Sequence, residues 1–140
     1  MRRKIIPDVL HQRQLVSVEG RCSVREAAKL MRKHDVGAVP IIEAEALLGI
    51  LTVNDVTYRV VAEGRDLDET TVGEVMTSNP DTIGSDTMAI EALRLMQDGG
   101  YRHLPVVDDG EVLGVVSRRD FYGAEKARLD DEMALWERIA

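Results

Sequence analysis

The sequence predicts an α/β (α+β) protein built from two β-α-β-β-α repeats. These are expected to pack through their sheets with pseudo-twofold symmetry and to be followed by a C-terminal helical extension. Three observations lead there. Shifted by 65 residues, the chain aligns with itself without a gap: Glu26 and Ala27 fall on Glu91 and Ala92, Leu30 and Met31 on Leu95 and Met96, Pro40 on Pro105, and Asp55 on Asp120. In each copy an apolar stripe at helical spacing is followed by two short apolar runs split by an acidic turn. Past the second copy, Leu129, Met133, Trp136 and Ile139 recur at helical spacing on one stripe.

Each unit opens on a short extended start, Ser17 and Val18 in the first copy and Thr82 and Ile83 in the second; Asn79 and Pro80 mark a turn before the latter. An amphipathic helix follows. Its apolar face carries Val24, Ala27, Ala28, Leu30 and Met31 in one copy and Ala89, Ile90, Ala92, Leu93 and Met96 in the other, and the methionines read as core filler. Strands over 39–42 and 104–107 come next. The acidic turns Glu43 to Glu45 and Asp108 to Gly110 lead into second strands over 47–51 and 112–116, completing a hairpin. Helices are expected to start near Thr52 and Ser117, the second running on through Ala124 into the terminal stripe. Such a unit leaves one sheet face uncovered, so the two halves are expected to fuse into one core. The boundaries read as a first repeat over 8–63, a linker with a short helix over 64–77, a second repeat over 78–125 and a terminal helix over 126–140. Thr71 followed by Glu74 marks a capping box at the linker helix. The terminal stripe is expected either to fold back on its own repeat or to meet a second copy.

Composition narrows the function. The chain has 140 residues, 44% apolar and 31% charged, which suits a folded globular domain. Five aromatic residues leave the core to aliphatics and Met. No apolar run approaches the length of a membrane span, and Pro7, Asp8 and His11 interrupt any leader-like stretch after the basic start; a cytoplasmic protein without a membrane partner is expected. With 18 basic against 25 acidic residues the net charge is −7, which argues against nucleic acid as a partner. The lone Cys22 excludes an internal disulfide and a thiolate zinc site. There is no Gly-rich phosphate loop and no metal-ligand spacing, and the three histidines lie far apart, so no catalytic residues and no enzyme activity are expected.

Two equivalent strand-to-helix junctions could carry chemistry: Thr52, Val53, Asn54, Asp55 and Ser117, Arg118, Arg119, Asp120. A hydroxyl followed three residues later by a carboxylate is close to a helix cap. The same geometry suits a nucleoside phosphate, because helix-start N–H groups favour phosphate and a carboxylate can accept both hydroxyls of a ribose. Gly49 and Gly114, just before, suit either a tight strand or close ligand approach. Arg118 and Arg119 oppose the dipole at a helix start, a conflict that a bound anion would relieve. Arg102 and His103, before Pro105, extend them into one basic patch.

The repeat, the Pro40 and Pro105 strand starts and the two Gly-x-x-Thr/Ser-x-x-Asp runs, Gly49 to Asp55 and Gly114 to Asp120, resemble a tandem pair of CBS domains, a Bateman module. The resemblance spans roughly 8–125. It implies a non-catalytic regulatory module that binds an adenosyl ligand between its repeats: AMP first, with ATP, ADP, NAD(H) and S-adenosylmethionine as alternatives. It matches the ribose-binding acid to Asp55 and Asp120 and the phosphate-binding hydroxyl to Thr52 and Ser117. The adenine-contacting segments match Ser17, Val18, Ala38, Val39 and Pro40 in one copy and Thr82, Ile83, His103, Leu104 and Pro105 in the other. Where the second copy has Arg118 and Arg119, the first has Val53 and Asn54, so a basic phosphate partner is missing there; Arg118 from across the cleft, or Arg59, are the candidates to supply it. The resemblance also implies a homodimer. Because the repeats consume the chain, the regulated protein is expected to be a separate polypeptide. The alternative is a dimerisation or interaction module with vestigial ligand sites.

Overall fold

The computed structural model of the protein describes residues 3–9, 15–121 and 124–139; His11 and Tyr122 lie outside them. Helix α1 spans Val24–His34, strands β1 and β2 span Ala38–Glu43 and Ala46–Thr52, and the short α2, Val53–Asp55, runs on as a π-helical segment, Val56–Val61. Helix α3 (Val72–Val75) and strand β3 (Thr77–Ser78) lead to the second copy: α4 (Ala89–Gly99), β4 (His103–Asp108) and β5 (Glu111–Ser117). A single 3-10 turn, Arg118–Asp120, precedes the terminal helix α5, Ala124–Ile139.

The repeat is visible residue by residue. Ala38 pairs with Thr52 and His103 with Ser117, and both hairpins bulge at the equivalent step, Ile41/Ile42 and Val106/Val107. The extended starts lie parallel to the first strand of their own hairpin, through the bridges Val18 to Ile41 and Ile83 to Val106. Helix α1 starts where the Ser23 hydroxyl accepts the Glu26 N–H, at 3.1 Å. It ends at Asp35 in the left-handed region, φ 52°, where α4 has Gly100. Both hairpin turns hold two left-handed residues, as a type I′ turn requires. Ala44 and Glu45 do this in the first copy, against the better-suited Asp109 and Gly110 in the second.

Two aliphatic clusters replace the single core expected. One gathers Val24, Ala27, Met31, Val39, Ile41, Leu51 and Val60; the other gathers Ile90, Leu93, Met96, Leu104, Val106, Val116 and Phe121. Each lies between a sheet and its own helices. The sheets also meet, β5 packing on β1 and β2, and the clefts open along that seam. The segments that close the clusters are exchanged. Ile5 and Val9, at the start of the first half, are buried in the second cluster, whereas Val72 and Val75, at the start of the second half, are buried in the first. The backbone records the exchange: Ile5 N–H donates to Thr87 O at 2.9 Å, and Val72 N–H donates to Cys22 O at 2.8 Å.

One further expectation needs correction. The chain does not stay helical past Asp120, because Phe121 leaves the turn at φ −99°, ψ 94°. Its ring is fully buried in the second cluster, and that burial turns the chain inward where Val56, its counterpart, continues a helix. The terminal stripe folds back only at its start: Leu129 is buried, while Trp136 and Ile139 are 65% and 66% exposed. Arg94 of α4 holds α5 through Glu132, with Nε to Oε2 at 3.1 Å. Among the described residues no helix is long and apolar enough to cross a membrane.

Candidate functional site

At both junctions the carboxylate turns back on its own hydroxyl residue. Asp55 Oδ2 accepts the Thr52 N–H at 2.9 Å while Thr52 Oγ1 accepts the Asp55 N–H at 3.1 Å, a complete capping box. In the second copy Asp120 Oδ2 accepts both the Ser117 N–H, at 2.7 Å, and the Ser117 hydroxyl, at 3.2 Å. The cap sets the orientation of the carboxylate that borders each cleft.

Each cleft draws on both repeats. The Ser117 cleft joins Ser117, Arg119, Asp120 and Gly114 to Val16, Ala38 and Pro40 of the first repeat. It is narrow, about 80 Å³, and adjoins a basin of about 500 Å³ that shares Gly37, His103, Ser117 and Arg119 and adds Asp35, Arg102 and Arg118. The Thr52 cleft, about 520 Å³, joins Thr52, Asn54 and Asp55 to Asn79, Pro80, Asp81, Tyr101, Arg102 and His103 of the second half. The first-copy motif thus faces second-copy loops and the reverse, an arrangement that a repeat read along the chain does not reveal.

Several other residues singled out from the sequence do not line these clefts. Val39 and Leu104 are fully buried and Ile83 nearly so, each inside a cluster. Val18 bonds along β1, its N–H donating to Pro40 O at 3.1 Å. Ser17 and Thr82 are exposed and Pro105 is buried, and none of the three lines these clefts. Gly49 resolves to packing, since a Cβ there would lie 2.5 Å from Met76 Sδ and 2.6 Å from Thr77 O. Gly114, by contrast, borders the Ser117 cleft. Burial pushes the Cys22 thiol pKa up, with Glu26 adding to it, as befits a structural cysteine.

The arginines divide unequally. Arg119 reaches back to the first repeat, its Nη2 donating to Asp35 O at 2.7 Å. Arg102 and Arg118 line the basin and have no ion-pair partner among the described residues. Arg59 does not serve the Thr52 cleft: Nη1 donates to Val75 O and Met76 O at 3.0 and 3.2 Å, and Nε lies 3.7 Å from Asp55 Oδ1.

His103 borders both clefts and the basin. Burial holds its pKa below the ordinary value of 6.5; Asp120 and then Asp55 oppose that shift, while Arg119 and Arg102 reinforce it. It packs over Gly37, where a Cβ would come within 3.0 Å of Nε2. Tyr101, which sequence reasoning missed, donates its hydroxyl to Asp81 Oδ2 at 2.6 Å. Burial first, then that carboxylate, push its pKa up to about 12, so it stays a neutral phenol. Its position beside Arg102 and His103, in a chain with few aromatics, was the available signal.

The sequence profile of the CBS domain matches residues 7–62 and 72–126. This chain belongs to the CBS-domain family. Among curated proteins, the CBS domain-containing protein YhcV of Bacillus subtilis is 39% identical over 108 residues, covering 76% of each chain. The plant CBS domain-containing protein CBSCBSPB5 of Arabidopsis thaliana is 46% identical over 92 residues, 65% of this chain, and the match spans only 17% of the plant protein's length. Among solved structures, the CBS domain protein PAE2072 of Pyrobaculum aerophilum, complexed with AMP, superposes with a TM-score of 0.77 at 28% identity, covering 88% of this chain and 95% of that one. The CBS assignment explains why both halves keep the same capped carboxylate.

Proposed function

We propose that this chain is a non-catalytic adenine-nucleotide sensor. It binds AMP, or a related adenosyl ligand such as ATP, ADP, NAD(H) or S-adenosylmethionine, and its occupancy modulates a partner protein. The observation that carries the reading is the Ser117 cleft. Asp120 is held by Ser117 at the rim of an apolar slot lined by Val16, Ala38 and Pro40, and the slot adjoins a basin with Arg102, Arg118 and Arg119. The apolar lining of the slot suits a base, a ribose diol suits the carboxylate, and the arginines suit phosphate. Arg102 and Arg118, with no ion-pair partner among the described residues, on a chain of net charge −7, are a local reversal of sign that an anion would stabilise. The AMP in the PAE2072 complex supports the choice of ligand.

Thermal shift tests the reading, because a ligand bound only to the native state raises stability by RT ln(1 + [L]/Kd), about 2.7 kcal/mol at a hundredfold excess over Kd. AMP at millimolar concentration should raise the melting temperature, and Asp120→Ala should abolish the rise. No shift with AMP, ATP, NADH or S-adenosylmethionine would favour a pure interaction module instead.

A further inference from the structure

The two clefts descend from the same motif yet differ in charge. The basin beside the Ser117 cleft holds Arg102, Arg118 and Arg119 against Asp35 and Asp120. In the Thr52 cleft the positions of Arg118 and Arg119 are taken by Val53 and Asn54. Asp81 adds a second carboxylate to Asp55, and Tyr101, a neutral hydrogen-bond partner of Asp81, lines the same wall. Arg102 is the one basic side chain that lines this cleft together with His103, and both are shared with the basin. The one nearby arginine of the same helix, Arg59, is committed to the Val75 and Met76 carbonyls and to Asp55. The cleft therefore offers room and acceptors but little to neutralise a phosphate.

We infer that the Thr52 cleft takes an adenosyl ligand that carries no phosphate, such as a nucleoside or its sulfonium derivative, while the Ser117 cleft takes the phosphorylated one. The inference rests on the reading of both clefts as adenosyl sites. Asp55, fixed by Thr52, accepts the ribose hydroxyls; Pro80 and Tyr101 give an apolar wall for a flat base. A phosphate placed there would face Asp55 and Asp81, and like charges brought together in a cleft are strongly disfavoured. The molecule would then report two ligands of different charge class rather than two copies of one.

Isothermal titration of the full chain with AMP, adenosine and S-adenosylmethionine tests this. The parent should bind one AMP per chain. Asp120→Ala, which disables the Ser117 cleft, should lose AMP but keep adenosine or S-adenosylmethionine, with a preference over AMP of at least about tenfold. The double substitution Val53→Arg, Asn54→Arg on the parent background should raise AMP stoichiometry from one to two, and it serves even if Asp120→Ala folds poorly. Two AMP molecules of similar affinity on the parent would overturn the inference. So would a folded Asp120→Ala variant that binds AMP as tightly as adenosine, or that binds neither. A parent that binds none of the three ligands would instead overturn the nucleotide-sensor reading on which the inference stands.

Discussion

Arg119 of the second repeat donates a hydrogen bond to the carbonyl of Asp35, 84 residues away, at 2.7 Å. That carbonyl belongs to the left-handed cap of α1, so a side chain of one repeat's ligand motif is tethered to a helix end of the other. Under the proposed function, a phosphate beside Ser117 would compete with that carbonyl for the same guanidinium, which is the contact through which binding would reach the first repeat.

Replacing Arg118 and Arg119 together by Ala should weaken ATP much more than adenosine, because only the phosphates lose partners. Stability should change little, by about 0.5–1.5 kcal/mol for the one hydrogen bond lost. Titration with both ligands and a thermal melt read the two effects; equal losses for ATP and adenosine would place the phosphates elsewhere.

His103 makes stability depend on pH with a definite sign. Its folded pKa lies below its ordinary value of 6.5, so on acidification the unfolded chain takes up the proton first. The stabilisation is complete above pH 6.5 and is lost as pH falls from there through the folded pKa. Urea melts between pH 7 and pH 5 should show a steeper decline for the parent than for His103→Gln, which cannot titrate. A bound phosphate would favour the protonated imidazole, so AMP binding should be accompanied by proton uptake in the same range.

Glu45→Gly should stabilise the protein by about 0.5–1 kcal/mol. Glu45 holds φ 66° in the first hairpin turn, at the position where the second turn has Gly110 at φ 81°. The melting temperature should rise by about 2–4 °C, and ligand affinity should not move, since the turn lies at the far end of the hairpin from Thr52.

Gly49→Ala should destabilise by about 1–3 kcal/mol through overpacking. The new methyl would press on Met76 Sδ and, less forgivingly, on the Thr77 carbonyl of the paired strand. A chemical melt measures this. An unchanged midpoint would mean that β3 gives way more easily than its pairing suggests.

Local elements were legible because the repeat displays each of them twice. Both hairpins fall within one residue of the sequence expectation at each strand end, and helices α1 and α4 contain every apolar position read for them, since apolar spacing and turn residues act over short distances. Three features were not legible. The closing segments around Ile5 and Val72 align at a shift of 67 rather than 65, so they fall out of the register that exposes everything else. The pairing of each motif with the opposite repeat's loops is a tertiary fact with no period in the chain. Phe121 looked like the next residue of a helix, and only its buried ring shows that tertiary packing overrode helical continuity. In the candidate site the capped carboxylates and the basic side chains are legible in the junction residues, whereas Asp81 and Tyr101 are not, because Asn79 and Pro80 read as a mere boundary.

The exchange of Ile5 and Val9 for Val72 and Val75 has a consequence for how the chain can be divided. A repeat copied out by itself would carry the lid of its twin and lack its own, exposing an aliphatic floor. Neither half can therefore be removed or transplanted singly without leaving apolar surface bare, and a cut between them would be felt as a loss of fold on both sides.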